Sequence, residues 1–281
     1  MKPIDELTFT DDYMFGHVLQ NPDICKELLE RLLHIKIEKV EFPELQKAIS
    51  TFYESKGIRL DVYVKGSDKI FDIEIQNNSE VNLPRRTRYY QSMLDMDNLY
   101  KGEDYDQLKE SYIIFLCQFD PFDQNLPCYT FVNTCRESKS LELDEGATKV
   151  FFNSTAYAQE QDVEISALLE YINTKIPTDD FTSQVNRIVE EAKNNEKFRD
   201  RYITMNLHDR DIKVLAFKDG KKEGLAEGEK KLLETAKKML EKNIPVEVVA
   251  DCTGLPLEEV ERLLEKNSGT GILQGTYTTE I

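Results

Sequence analysis

Two short stretches of the chain carry carboxylates at alternate positions. Residues 58–64 read IRLDVYV and set Asp61, with Arg59 and Tyr63, opposite Ile58, Leu60, Val62 and Val64. Residues 70–76 read IFDIEIQ and set Asp72, Glu74 and Gln76 opposite Phe71, Ile73 and Ile75. A period of two marks strands with two unlike faces. Lys65-Gly66-Ser67-Asp68 between them is turn chemistry of hairpin length. A turn centred on Gly66-Ser67 puts Asp61 across from Asp72 and Arg59 across from Glu74, with Gln76 on the same side. Like charges facing each other across a ladder destabilise it, so this face requires water, a bound cation or Arg59 to neutralise it. In this register Asp61 and Glu74 are diagonal neighbours, about 7–8 Å apart at Cα. Two hard carboxylate donors at that spacing can converge on one Mg²⁺ ion. The plainer alternative is a solvated strand face with an ordinary Arg59–Glu74 cross-strand pair.

The elements that must position these residues are readable around them. A short helix follows Asp11-Asp12 and carries Tyr13, Met14, Phe15, Val18 and Leu19. Asn21-Pro22 is a start signal for a second helix with Ile24, Leu28, Leu29, Leu32 and Leu33 at helical spacing. Pro84 opens a helix running to about Tyr100, and residues 112–119 read as a fully buried strand. Residues 129–135 and 148–153 supply further strands, and helices cover residues 165–176 and 181–202. Near Asp219 the composition changes: Gly220, Gly224 and Gly228 precede a Lys/Glu-rich amphipathic helix through Leu240. Two short helices follow, 246–252 and 257–266, and the Gly/Thr-rich tail 267–281 is expected to fray.

Asp61 followed by Glu74-Ile75-Gln76 resembles the D…(D/E)xK core of the PD-(D/E)XK nuclease superfamily. The segments LTFTDDYMFGHVL, IRLDVYV, FDIEIQ, RRTRYYQSMLD and YIIFLCQFDPF occur in this order over about residues 7–155. Together they resemble the Rpn family of recombination-promoting nucleases, also described as transposases. The resemblance implies an α/β fold, a mixed sheet flanked by helices, and metal-dependent DNA cleavage. It implies Asp61 and Glu74 as metal ligands, with Mg²⁺ as the ion and Mn²⁺ as a substitute. Gln76 stands where the wider superfamily has lysine, though glutamine is usual in this branch. It can neither supply a positive charge nor lose a proton, but it can orient a water or hold a phosphate oxygen. Gly16-His17 is a second departure, since relatives tend to carry lysine after the phenylalanine. The resemblance offers Asp11 or Asp12 as an accessory ligand from the first helix, where an acidic residue serves so in some superfamily members, while the plainer role is to cap that helix.

Within the Arg85-Arg86-Thr87-Arg88-Tyr89-Tyr90 cluster, Arg85, Arg88 and Tyr89 share a helix face suited to backbone phosphates. Neutralisation of acidic neighbours within the protein is an equally good use of these arginines. Arg59 and Gln91 complete the accessory residues. The net charge of −17 disfavours indiscriminate nucleic-acid binding without excluding a local basic site. Five cysteines without a CxxC pair point away from a disulfide framework and toward a reducing cytoplasm. His17, His34 and His208 have no zinc-site spacing, and neither a P-loop nor a GxSxG elbow occurs. The start of the chain does not read as a signal peptide, and no apolar run is long enough to cross a membrane.

The expected organisation is a nuclease-like domain over 1–215, a helical association region over 216–266, and the tail 267–281. Self-association is assigned to Leu232, Leu233, Ala236 and Leu240 with the last two helices, making a homo-oligomer. The outline of a helix-turn-helix in 246–266 is weakened as a DNA reader by its four glutamates. The leading function is a Mg²⁺-dependent DNA endonuclease. The alternative is a catalytically silent relative that binds nucleic acid or protein through the same surface.

Overall fold

The computed structural model describes residues 2–41, 43–49, 57–66, 68–79 and 82–268. Ser67 of the expected turn and residues 269–281 of the expected tail lie outside them. The chain divides into two compact units, Met1–Ile203 and Thr204–Ile281.

The first unit is built on a six-stranded mixed sheet. Its strands are β1 (Glu44–Ile49), β2 (Ile58–Lys65), β3 (Lys69–Gln76), β4 (Glu110–Cys117), β5 (Cys128–Phe131) and β6 (Ala147–Asn153), in the spatial order β1-β2-β3-β4-β6-β5. The pairs β3–β4 and β4–β6 are parallel and the other three are antiparallel. Parallel neighbours need a crossover, and helix α3 (Leu83–Asn98) supplies it between β3 and β4. Asn82 starts α3 by accepting the Arg85 N–H on its side chain. In the same way Asn21 caps α2 (Pro22–Leu33), accepting from the N–H groups of Asp23 and Ile24.

The two faces of the sheet bury different things. On one face Val62, Val64, Phe71, Ile73, Ile75, Ile114 and Leu116 pack against α1 (Asp12–Leu19), α2, α4 (Val163–Thr174) and α5 (Asp180–Lys193). On the other, Tyr63, Ile70, Ile113, Phe115 and Phe151 pack against Leu83, Tyr90, Met93 and Leu94 of α3. The Asp72–Gln76 set lies on this second face, under a helix.

β1 has no counterpart in the sequence expectations, because Glu44-Leu45-Gln46-Lys47-Ala48-Ile49 lacks clean alternation. β5 is shorter than the expected 129–135. Beyond Phe131 the chain leaves the ladder, with an isolated bridge between Thr134 and Glu142. The expected helix over 181–202 is broken at Asn194-Asn195, between α5 and the 46-residue α6 (Glu196–Glu241). α6 runs through Gly220, Gly224 and Gly228, although each glycine costs a helix about 1 kcal/mol relative to alanine. Cys25 and Cys117 are buried, which pushes both thiols up to about 12 and suits packing rather than reactivity. Among the described residues no helix is long and apolar enough to cross a membrane.

In the second unit, α7 (Val246–Thr253) and α8 (Leu257–Ser268) close a small core of Ala236, Leu240, Val249 and Val260. This corrects the expected association face. Ala236 and Leu240 are buried inside the unit and cannot serve an intermolecular contact, whereas Leu232 remains 42% exposed.

Candidate active site

The hairpin keeps the expected face but not the expected register. Gly66 N–H donates to Lys69 O, so the turn is centred one residue later than Gly66-Ser67. Pairing then runs Lys65↔Ile70, Val64↔Phe71, Tyr63↔Asp72 and Val62↔Ile73. Tyr63, not Asp61, faces Asp72. The shift is two residues, an even number, so parity and face survive it.

Just past Val62↔Ile73 the contact between the strands passes from backbone to carboxylate. The Asp61 N–H donates to Glu74 Oε1 at 2.9 Å, and the Ile75 N–H donates to Asp61 Oδ2 at 3.4 Å. The alternation of β2 slips at the same place. Ile58 and Leu60 join the α3-side core although Val62 and Val64 lie on the opposite face. The neighbouring strand bends with it: Leu45 packs on the α1 side, Lys47 reaches over the Tyr63 ring at 3.9 Å, and Gln46 between them has φ +48°. A left-handed non-glycine residue is uncommon. This local break turns the Asp61 and Glu74 side chains toward each other, as strand irregularities beside active sites do.

The face is dry. Asp72 and Glu74 have no exposed surface and Gln76 is 6% exposed, so the solvated reading fails for them. Arg59 does not neutralise Glu74 either: it is exposed and pairs across to Ala48 of β1. The neutralising cation is Arg86, one turn into α3. It donates from Nη2 to Glu74 Oε2 at 2.6 Å, from Nη1 to Gln76 Oε1 at 3.1 Å, and from Nε to the Tyr90 hydroxyl at 2.8 Å. Gln76 also donates from Nε2 to Asn78 O at 2.7 Å, so both ends of its amide are held.

One guanidinium is not enough. Burial, then repulsion from Asp61, holds the Glu74 carboxyl at about 8 despite Arg86. Burial, then the charge of Asp12, lifts Asp61 to about 6. Asp72 is raised well above the carboxylate range by burial, then by Glu74 and Asp61. Neither of its oxygens has a donor among the described residues, and the Glu74 carboxyl beside it is an acceptor as well. Asp12, Asp61, Asp72 and Glu74 thus share a neighbourhood in which Arg59 and Arg86 are the leading counter-charges among the described residues.

The first helix contributes through Asp12 rather than Asp11. Asp11 sits at the cap position of α1 but makes no capping bond. Its Oδ2 instead accepts from Lys2 Nζ, the Thr8 N–H and the Thr8 hydroxyl. Asp12 is raised by burial, against the pull of Arg59. Asn77 ties the exit of β3 to this region by donating to Thr10 O at 2.7 Å. At the Gly16 departure the helix packs on β1, where a Cβ would stand 3.4 Å from Leu45 Cδ1. His17 packs at a tilt against the Phe198 ring, with centroids 4.6 Å apart.

Of the predicted phosphate face, Arg85 and Arg88 are exposed and Tyr89 is 36% exposed, while Gln91 is half-buried and donates to Asp95 Oδ1 and Ser111 Oγ. These residues are set apart from the Asp61–Glu74 pair. Arg86 is the functional residue that the choice of an outward face passed over. A signal for it existed: Leu83, Tyr90 and Met93 make α3's buried stripe, and position 86 falls on that stripe.

Among the described residues no three His, Cys, Asp or Glu side chains are grouped to hold a metal ion. The donor chemistry nevertheless fits a hard cation. Two carboxylates meet at the strand break, and an orphaned, fully buried Asp72 carboxyl lies beside them.

No curated protein and no solved structure matches the chain. Residues 9–144 match the family model described as PD-(D/E)XK nuclease family transposase. That stretch spans α1 to α3 and β1 to β5 and holds the whole carboxylate site. Nucleases of this kind generally use divalent metals. With its mixed sheet and flanking helices, the chain is similar over residues 9–144 to PD-(D/E)XK nuclease family transposases.

Proposed function

We propose that the first unit is a metal-dependent DNA endonuclease that hydrolyses phosphodiester bonds at the Asp61–Glu74 site. The observation that carries this reading is the surplus of carboxyl groups there, held above their usual range by burial and by one another. Asp61 and Glu74 would hold a divalent ion, Mg²⁺ or Mn²⁺ in its place. When bound, such an ion supplies a water of lowered pKa and charge stabilisation at the scissile phosphate. Arg86 fixes the Glu74 carboxylate from the side opposite Asp61. Gln76 is held by Arg86 and Asn78 O, so it must release one of these bonds before it can touch a water or a phosphate oxygen. Asp12 adds negative charge from α1.

The test is nicking of supercoiled plasmid with and without Mg²⁺ by wild type and Asp61→Ala. Metal-dependent nicking that the substitution abolishes is the expected result. Activity in both proteins would refute the site.

A second reading rests on the Arg86–Glu74 ion pair, which partly replaces the cation that a ligand carboxylate would otherwise need. On that reading the domain is a silent nuclease-fold module that binds nucleic acid or protein. Calorimetry separates the two: a nuclease site binds Mg²⁺ or Mn²⁺ in a way that depends on Asp61, and a silent module does not.

A further inference from the structure

On the other side of the α3 turn that carries Arg86, the helix forms one wall of a cavity of about 540 Å³. This lies within the range of about 300–1,000 Å³ usual for small-ligand pockets. Pro84, Thr87, Arg88 and Gln91 of α3 face Phe122, Phe131, Val132 and Phe151 across it, with Lys149 and Asn133 at its polar end. Phe131 and Val132 remain 44% and 41% exposed, although they line a pocket rather than an open surface. The three rings form a corner: Phe122 lies 4.9 Å from Phe131 and 5.0 Å edge-on to Phe151, with Phe131 5.7 Å from Phe151.

Two features select an anionic aromatic occupant over a purely apolar one. Arg88 makes no ion pair among the described residues, and Lys149 stands 3.9 Å from Glu145, itself a lining residue, so the lining holds two cations against one carboxylate. In a chain of net charge −17, two cations beside open rings form a local exception. The pocket wall is also tied to the carboxylate site by packed side chains. Arg86 lies 5.6 Å over Phe115, and Phe115 stacks on Phe151, the pocket floor, at 5.3 Å.

We propose that this cavity is a subsite for one unstacked nucleotide of a DNA strand, its base against Phe131 and Phe122 and its phosphate on Arg88 and Lys149. The proposal rests on the nuclease reading and names its substrate more closely: a strand with at least one base out of the duplex. Stacking on aromatic side chains suits any base, because every base presents a π-face.

The test is fluorescence anisotropy of a labelled twelve-residue oligothymidylate with the full chain in chelator, against a blunt duplex and thymidine monophosphate. Phe131→Ala should weaken oligothymidylate binding by about 5- to 100-fold, while Phe131→Tyr retains it. Arg88→Ala should weaken it and flatten its salt dependence. The duplex should bind less tightly and ignore Phe131→Ala. Equal binding by wild type and Phe131→Ala would overturn the subsite, as would thymidine monophosphate binding as tightly as the oligomer. The two readings fail separately. Plasmid nicking that survives alongside Phe131-independent binding rejects the subsite alone. Phe131-dependent binding without metal-dependent nicking rejects the nuclease and leaves a single-strand-binding pocket.

Discussion

Two buried arginine–carboxylate pairs in the first unit have opposite electrostatic outcomes. Arg31 pairs with Asp179, the cap residue of α5, and Arg86 pairs with Glu74. Burial pushes Asp179 up, but hydrogen bonds from the Thr182 hydroxyl and N–H and from Arg31 outweigh it, and the carboxyl lies below its usual range. Asp179 and Thr182 also form a reciprocal capping box. Glu74 receives the same kind of guanidinium and is still held at about 8, because burial and then the charge of Asp61 outweigh it. The first pair is closed: each charge is answered locally, and it holds α2 against α5. The second is short of positive charge among the described residues. On the proposed nuclease reading, that shortage is what separates a structural ion pair from a place for a cation.

The comparison can be broken at several points. The largest effect belongs to Asp61→Asn, which should lower metal-dependent plasmid nicking by at least about 10²-fold with little change in thermal stability. Asp179→Ala should do the reverse. It leaves Arg31 buried without its partner, a loss of about 3 kcal/mol, and lowers Tm by roughly 6–12 °C in a unit of this size. Nicking per folded molecule should stay the same. If Asp179→Ala abolished cleavage at unchanged Tm, the two pairs would have to exchange roles.

Arg86→Met should destabilise more at pH 8 than at pH 5, because the abandoned Glu74 can keep its proton at the lower pH. Adding Glu74→Gln to Arg86→Met should recover part of the loss, since a neutral amide in place of the stranded carboxylate removes the uncompensated charge. Urea midpoints of the double variant below those of Arg86→Met would contradict this.

The pH dependence should carry opposite signs at the two pairs. Glu74, at about 8, and Asp61, at about 6, keep protons in the fold that the unfolded chain releases near pH 4. In chelator, stability therefore falls as pH rises from about 4 to about 8, and Mg²⁺ restores it most at the upper end. Asp179 is depressed, so its contribution is complete above about pH 4 and disappears as pH falls below that. Midpoints between about pH 2 and pH 4 measure the second, and denaturation midpoints at pH 5 and pH 8, with EDTA and with Mg²⁺, measure the first. A chelated midpoint that rises over this interval would break the assignment. The smallest effect is at Arg85, which is exposed and makes no ion pair among the described residues. Arg85→Ala should change stability by no more than about 0.5 kcal/mol and reduce the salt slope of DNA binding slightly.

Much of the fold was legible in the sequence because it depends on periodicity. The alternation of 58–64 and 70–76, the apolar run of β4 and the Asn-Pro start of α2 correspond to elements close to those expected. β1 was not legible, since its side chains divide between a core, a cation–π contact with Tyr63 and solvent. The length of α6 was not legible either, because three glycines read as a break in composition do not break the helix.

The site divides along the same line. Sequence alone determined that Asp72, Glu74 and Gln76 share one face of β3, because strand parity survives an even error in register, but not the slip in β2 that sets Ile58 and Leu60 apart from Val62 beside Asp61. It could not determine that Asp61 adjoins Glu74 rather than Asp72, since one residue's displacement of the turn moves every pair by two. Nor could it select Arg86 over Arg85 and Arg88. That choice depends on which side of α3 lies against β3, and only the crossover from β3 to β4 settles it. Charge and spacing along the chain are local properties, whereas the surplus of carboxylates over cations at Glu74 comes from packing a helix, a bent strand and Asp12 around one dry point.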